Sequence, residues 1–503
     1  MKLIHQVLFG LIIVWSSSFT VNGQNFDGYA LYNLQNQNTT YLIDKDGNIA
    51  HSWSCAIACS YTVLLKENGN IVRTGKYGSN ILNGAAISGI VQEIDPNGSI
   101  VWEYVYSDAD HCSHHDITLM PNGNVLLIAW EVKSIADLDQ AGYDNPTSEK
   151  WPTHFIELEQ DGSSAQIIWE WHIWDHLIQD IDPAKDNFGV IADHPELVDI
   201  NQITAGGGGG PGGNSGDWFH VNGIDYNETL DQIAFSSRHS SEIFIIDHST
   251  TTAEAATHSG GNAGMGGDIL FRWGNPSNYG AAGNQTIPAA VHDVRWIEDD
   301  GRPNGGYIQF FNNEGNNGGS AVDAINPAMT GYNYDLTLGN AYLPSSYEWR
   351  HDCITSATGQ SASDRLSNGN TFVNVSNQYM YEVDSNDNVV WQYNAGPTKA
   401  FRYECDHPGI NILMGVNSCS TVGLNEESFS VSLAPNPSTG LFTLEGMLES
   451  NFRVSVFDMQ GRLVLQQSNL AKIDLNEQLD GLYIVSIEID EHATMTKKVS
   501  LLH

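Results

Sequence analysis

One pattern constrains this chain more than any other. From about Gln24, a strand-like run, an Asn-Gly or Asp-Gly type turn and a second run ending in aromatic residues recur. Examples are YLIDKDGNIAHSW from Tyr41, VLLKENGNIVRTG from Val63, VQEIDPNGSIVWEYVY from Val91 and ITLMPNGNVLLIAWE from Ile117. The unit returns as FIELEQDGSSAQIIWEW from Phe155, DRLSNGNTFVNVS from Asp364 and YEVDSNDNVVWQYNAG from Tyr381. Asn-Gly and Asp-Gly supply the positive φ of tight hairpin turns, and the alternation around them turns one face inward. Hairpins repeated every few tens of residues are the signature of a β-propeller, two hairpins to each four-stranded blade. The acidic turn residues resemble calcium ligands, but Asp and Asn favour such turns for backbone reasons, and turn chemistry is the reading adopted.

The 49 Gly, 13 Trp and 20 Tyr, with little amphipathic helical periodicity, fit an all-β class. A formal charge of −39 argues against a nucleic-acid partner, which needs clustered Lys and Arg. The same charge repels an anionic substrate at long range, so an anion site here must work through local contacts.

Lys2 and His5 precede the apolar run Val7–Trp15, and Val21-Asn-Gly23 leads to a cut ahead of Gln24. Residues 1–23 therefore read as a signal peptide, and no later run of about 18 apolar residues suggests a membrane span. Cys55, Cys59, Cys112, Cys353, Cys405 and Cys419 allow up to three disulfides once exported. The pairs Cys55–Cys59 and Cys405–Cys419 are nearest in sequence, and the choice stays open. There is no Cys-x-x-Cys, so a zinc ribbon is not expected.

The propeller reading runs over residues 24–415. His172–Ile200 reads as a partly helical insertion over one face, and Ala205–Gly216 as a mobile glycine loop. A linker follows at 416–428, and residues 429–503 have the short alternating strands of a small β-sandwich.

Candidate chemistry gathers where histidine or arginine meets a strand edge. His114, His115 and Asp116 open one hairpin, and His292-Asp293 opens another in the equivalent place. His220 and Asn222 lie in Trp218-Phe-His220-Val-Asn222, and Arg238 ends the next strand. Equivalent positions of successive blades converge on a propeller's channel, so these residues are expected in one pocket. Three histidines are also a metal set for zinc or copper, but an Arg among them argues for an anion. Trp218, Phe219, Trp273, Tyr279 and Trp296 are candidates to stack on an aryl ring, or to pack the blades.

HHDITLMPNGNVLLI, DWFHVNGIDYN, SSRHSSEIFIIDHS, GDILFRWGNPSNYG, VHDVRWI, GQSASDRLSNGNTFV and TKAFRYECDHPG, in this order, resemble the bacterial arylsulfate sulfotransferases, from Tyr29 to Gly409. That resemblance implies a six-bladed propeller that moves a sulfuryl group from an aryl sulfate to a phenolic acceptor. It implies no nucleotide donor, cofactor or metal, and a ping-pong course through a sulfohistidine. The nucleophile falls on His292, and the sulfuryl-binding residues on His115, His220 and Arg238. His114, Asn222 and Asp293 are expected to assist substrate binding. The chain departs from the family at Val291 and Val294, which are expected to shape the acceptor pocket. Residues 429–503 are similar to the C-terminal sorting domain of type IX secretion, through Pro435-Asn-Pro437, Phe457-Asp-Met-Gln-Gly461, Gly481-Leu-Tyr483 and the Lys497-Lys498 terminus. This implies export through the outer membrane to the surface or medium, with the secretion machinery as partner. Other readings are a sulfate-ester hydrolase on the same scaffold, a non-catalytic binder of sulfated glycans, and a metal-dependent lyase or lactonase.

Overall fold

A computed structural model of the chain describes residues 24–203, 216–416, 418–419, 432–445, 452–459, 461–489 and 493–502. The expected signal peptide, nearly all of the glycine loop and most of the linker lie outside the described residues. The chain divides into two compact units, 1–419 and 420–503.

Among the described residues of the first unit, six four-stranded antiparallel sheets follow one another along the chain. Sheet one joins both ends of the unit: Ala400–Glu404 pairs with Gly28–Asn33, which continues to Thr39–Ile43 and Ile49–Ser54. Sheet two is Cys59–Leu65, Ile71–Lys76, Gly89–Ile94 and Ile100–Val105. Sheet three is His111–Leu119, Val125–Glu131, Thr153–Asp161 and Ser164–His172. Sheet four is Val221–Asn227, Gln232–Ser237, Glu242–Asp247 and Ile269–Trp273. Sheet five is His292–Trp296, Ile308–Asn316, Gly319–Ile325 and Trp349–Asp352. Sheet six is Ala362–Arg365, Thr371–Asn374, Met380–Val383 and Val389–Tyr393.

The ring closes because every sheet buries both faces. Leu65 and Ile71 of sheet two meet Leu31 and Leu42 of sheet one, while Val72 and Val91 meet Leu127 and Ile156 of sheet three. Phe155 and Trp171 pack on Phe235 and Phe244 of sheet four. Ile243 and Ile245 pack on Ile308 and Phe310 of sheet five, and Phe311 and Val322 on Val373 and Tyr381 of sheet six. Phe372 and Met380 return to Ala30 and Tyr32 of sheet one. Truncating one such aromatic, as in Phe244→Ala, costs about 3–5 kcal/mol. The strand that starts each sheet, or Ala400–Glu404 in sheet one, touches its counterparts on either side. These strands surround the central axis, which is the arrangement of a β-propeller.

The hairpin turns differ in detail from the tight two-residue form. At Asp44–Asn48, Gly47 N–H donates to Asp44 O, Asp44 N–H donates to Asn48 O, and only Gly47 has positive φ (83°). This is a longer loop built on a type I turn with a left-handed glycine. The Asp44 carboxylate accepts from the N–H groups of Asp46 and Asn48, as Asp95 does from Asn97 and Ser99. The acids expected to serve turns do so.

The insertion after sheet three is less helical than its sequence suggests. It has two 3-10 turns, Ile173–Asp175 and Ile191–Asp193, and a short parallel pairing of Leu177–Ile178 with Val198–Asp199. Of the cysteine pairs near in sequence, Cys405–Cys419 is bonded, whereas Cys55, Cys59, Cys112 and Cys353 are free thiols. Cys59 instead accepts from the side-chain amide of Asn33.

In the second unit, a sheet of Ser432–Ala434, Leu441–Glu445 and Lys472–Asp474 and one of Leu463–Ser468, Phe452–Asp458, Gly481–Ile489 and Ala493–Leu501 share a core. Phe442 and Ile473 meet Val454, Val456, Val485 and Ile487, making a small sandwich. Among the described residues no helix is long and apolar enough to cross a membrane.

Candidate active site

The axial strands of sheets two to five each break register near one end. The irregularities fall between Cys59 and Val63, Ser113 and Ile117, Val221 and Gly223, and His292 and Arg295. A bulge re-aims side chains, and here the backbone turns left-handed at His115 (φ 51°), His220 (φ 53°) and Asp293 (φ 54°). A residue with a Cβ resists that conformation by about 1–3 kcal/mol, which the surrounding sheets must offset. The His-Asp pairs are therefore not ahead of their strands, as the sequence suggests, but inside bulged ones.

These bends bring the histidines together. The His115 and His220 rings are 4.8 Å apart, His220 and His239 4.7 Å, and Tyr61 lies 5.1 Å from His115. His114 and His115 share one hydrogen bond between their Nδ1 atoms at 2.8 Å. His292 completes the group: Arg238 and His220 act electrostatically on it, and it acts on His115. Arg238 donates to Thr358 O at 3.1 Å and otherwise retains its fork of donors.

The orientation of His292 follows from its neighbours. Nδ1 lies 2.8 Å from both Ala290 O and Asn313 Oδ1. Asn313 in turn donates through Nδ2 to Ala357 O at 2.8 Å and Gln360 O at 3.2 Å, which fixes Oδ1 toward the ring. Two acceptors at Nδ1 require the proton there, so Nε2 carries the lone pair. Above that edge is Gly359, where a Cβ would stand 3.7 Å from His292 Cε1 and 3.9 Å from Nε2.

Burial, helped by Arg238 and His220, pushes the His292 pKa down to about 3, so the ring is neutral. Burial likewise lowers His114 to about 3, His239 to about 4, and His115 well below its ordinary value, with neighbouring imidazoles adding to the effect. The Arg238 pKa is also lowered by burial. His220 differs in its partner: Asp217 Oδ2 lies 2.6 Å from Nδ1, and Asp217 Oδ1 accepts from the His220 N–H at 3.1 Å.

Beneath the imidazoles runs a buried ion network. Lys399 Nζ sits 2.6 Å from Asp116 Oδ2 and 2.6 Å from Asp293 Oδ1, tying sheet one to sheets three and five. Thr62 Oγ1 donates to Asp116 at 2.6 Å, the Ser363 N–H to Asp293 at 2.7 Å, and Arg295 to Asp293 at 3.1 Å. Burial lowers the Lys399 pKa, but Asp116 and Asp293 outweigh it and leave it raised.

Not every expected residue is free to meet a substrate. Asn222 is fully buried, donating to Val291 O and accepting from Ser236 Oγ. Asp293 spends its oxygens on the network, and His114 stacks on Trp130 at 3.9 Å. The contacts of these three are with other residues of the protein. Val291 and Val294 pack in the core between sheets four and five, not in an acceptor pocket, because the pleat sends them sideways. Trp218, Phe219, Trp273 and Tyr279 are buried in blade cores, and Trp296 packs against one. Sequence reasoning passed over Asn313, Asp217 and Lys399. Asp217 opens the DWFHVN run, three residues before His220, a spacing that was the available signal.

Among the described residues, groups able to share a metal ion are His176, His258 and Asp268, and Asp27 with the bonded Cys405 and Cys419. Neither includes the axial imidazoles.

Comparison with known proteins finds a family model described as arylsulfotransferase (ASST) matching residues 17–337 and a secretion system C-terminal sorting domain matching 432–501. No curated protein matches the chain. Among solved structures, a protein of unknown function from Bacteroides caccae is 11% identical, covering 75% of this chain and 98% of that one, with a TM-score of 0.41. BamB from Moraxella catarrhalis is 10% identical over 77% and 81% of the two chains, with a TM-score of 0.28. At these scores neither likeness carries an argument.

Proposed function

The chain belongs to the arylsulfotransferase family, and from that premise we propose that it moves a sulfuryl group from an aryl sulfate to a phenol through a sulfohistidine on His292. The observation that carries the reading is the tautomer of His292: two acceptors hold the proton on Nδ1 and leave Nε2 as a neutral nucleophile. In the first half-reaction Nε2 bonds to sulfur, the sulfur–oxygen bond breaks, and the phenol leaves with the bonding pair and a proton. In the second, an acceptor phenol loses its proton, its oxygen bonds to sulfur, and the nitrogen–sulfur bond breaks.

Charge on the sulfuryl oxygens persists through both halves. Arg238 supplies a fixed cation with a planar set of donors, and His115 and His220 supply neutral or charged donors at its side. Removing one preorganised donor of this kind costs about 10²–10³ in rate. The same site would be a hydrolase if water replaced the phenol. Phenol added to enzyme turning over 4-nitrophenyl sulfate should accelerate nitrophenol release and yield the new aryl sulfate. Release indifferent to phenol, with free sulfate as product, would contradict transfer.

The sorting domain at 432–501 marks the protein for export, to the cell surface or beyond. Its partner is the type IX secretion machinery, and its substrates are small molecules.

A further inference from the structure

All five histidines of the cluster have their Nδ1 engaged, those of His114 and His115 by each other and that of His239 by Trp218 O. His292 Nδ1 faces a carbonyl and an amide oxygen, and His115 Nδ1 faces another imidazole. His220 Nδ1 alone faces a carboxylate, Asp217, at 2.6 Å. Asp217 is itself buried and held by three donors: His220 Nδ1, the His220 N–H and, at 3.1 Å, Trp130 Nε1. His220 is 8% exposed, whereas His115 and His292 are each 2% exposed, so His220 is the most exposed of the three.

We propose that Asp217 is a positioning residue that makes His220 the proton shuttle of both half-reactions, while His115 remains a neutral donor. The inference rests on the sulfuryl-transfer reading. With its Nδ1 proton fixed on Asp217, His220 presents Nε2 to the reacting oxygen. As imidazolium it gives its Nε2 proton to the departing phenolate oxygen as the sulfur–oxygen bond breaks and His292 Nε2 bonds to sulfur. Neutral His220 then takes the proton of the acceptor phenol as that oxygen bonds to sulfur and the nitrogen–sulfur bond breaks. Protons and electron pairs balance over the cycle, and no further reactant is needed.

The groups facing His220 are Asp217 from its own loop, His114 and His115 from sheet three, His239 and Arg238 from the turn after Gln232–Ser237, and His292 from sheet five. Only Asp217 among them is an anion. Burial raises its pKa, but His220, then His114 and His239, bring it far below the carboxylate range. The carboxylate therefore stays charged beside His220 whenever the shuttle must carry a proton.

The test is a leaving-group series of aryl sulfates, from 4-nitrophenyl sulfate to phenyl sulfate, on the wild-type protein, Asp217→Asn and His220→Gln. A nitrophenolate departs without a proton, whereas a simple phenolate needs one. Asp217→Asn should lose on the order of 10²–10⁴ with phenyl sulfate and far less with 4-nitrophenyl sulfate. His220→Gln should steepen the leaving-group dependence in the same way, and Asp217→Glu should restore part of it. A uniform loss across the series in both variants would overturn the proposal, as would no loss. If Asp217→Asn unfolds, the series on His220→Gln decides alone. Failure of sulfuryl transfer itself would show separately, in the wild-type protein's response to phenol.

Discussion

Asn313 holds the His292 ring, and its loss releases the proton on Nδ1 from one of its two acceptors. Asn313→Ala should lower kcat roughly tenfold to a hundredfold, the size expected when a partner that fixes a histidine tautomer is lost, with little change in KM. Gly359 matters for a different reason: a Cβ there would already stand at contact distance from the Nε2 edge of His292. Gly359→Val should raise the acceptor KM more than tenfold, since its branches extend from a point already 3.7 Å from the ring. The acid limb is also fixed at this scale. His292 is neutral at any pH above about 3, so sulfurylation in a single turnover should not decline through nucleophile protonation between about pH 5 and 8. His292 stood out in the sequence as part of a His-Asp pair that recurs beside the same turn type, and the nucleophilic role proposed for it came from the family resemblance. Asn313 did not stand out, since an Asn within a second strand has no chemical signature until the fold sets it beside a ring.

At the scale of strands, two charged links hold sheets together. Lys399, just ahead of the strand Ala400–Glu404 that closes the ring, pairs with Asp116 and Asp293, each next to a histidine of the cluster. Lys399→Met would leave buried Asp116 without its cation and Asp293 with Arg295 alone, and should destabilise the first unit by about 3–5 kcal/mol, read from denaturant midpoints. Farther out, His248 bridges Glu157 of sheet three at 3.0 Å and Asp231 at 2.7 Å. Burial lowers its pKa, but the two carboxylates raise it to about 9, above the unfolded value near 6.5. That stabilisation is complete below the unfolded value and disappears as pH rises through about 9. The unfolding midpoint should fall over that window, and His248→Gln should flatten the fall. Many of the hairpins were legible because their turns carry Asn-Gly or Asp-Gly between alternating strands. The bulges at His115 and His220 were not, because a bulge is imposed by neighbouring sheets and leaves no mark in local alternation.

Over the whole molecule, activity and address reside in different stretches. The axial residues all come from one compact unit, 1–419, and the sorting match lies in the other. A chain ending after Cys419 should keep sulfuryl transfer in lysates yet fail to reach the cell surface, as surface proteolysis would report. Ring closure explains why the site needs the complete first unit: Lys399 arrives last in the chain and completes the network under His115 and His292. Lys399 sits in TKAFRYECDHPG, and sequence alone does not tell which blade such a lysine will face.

The account depends on a bond between sulfur and His292 Nε2. Mass spectrometry of the protein incubated with an aryl sulfate and no acceptor measures it directly. A single sulfuryl group on the peptide containing His292, discharged by phenol and absent in His292→Asn, is the expected result. Turnover without any adduct, or an adduct on another residue that phenol also discharges, would contradict it.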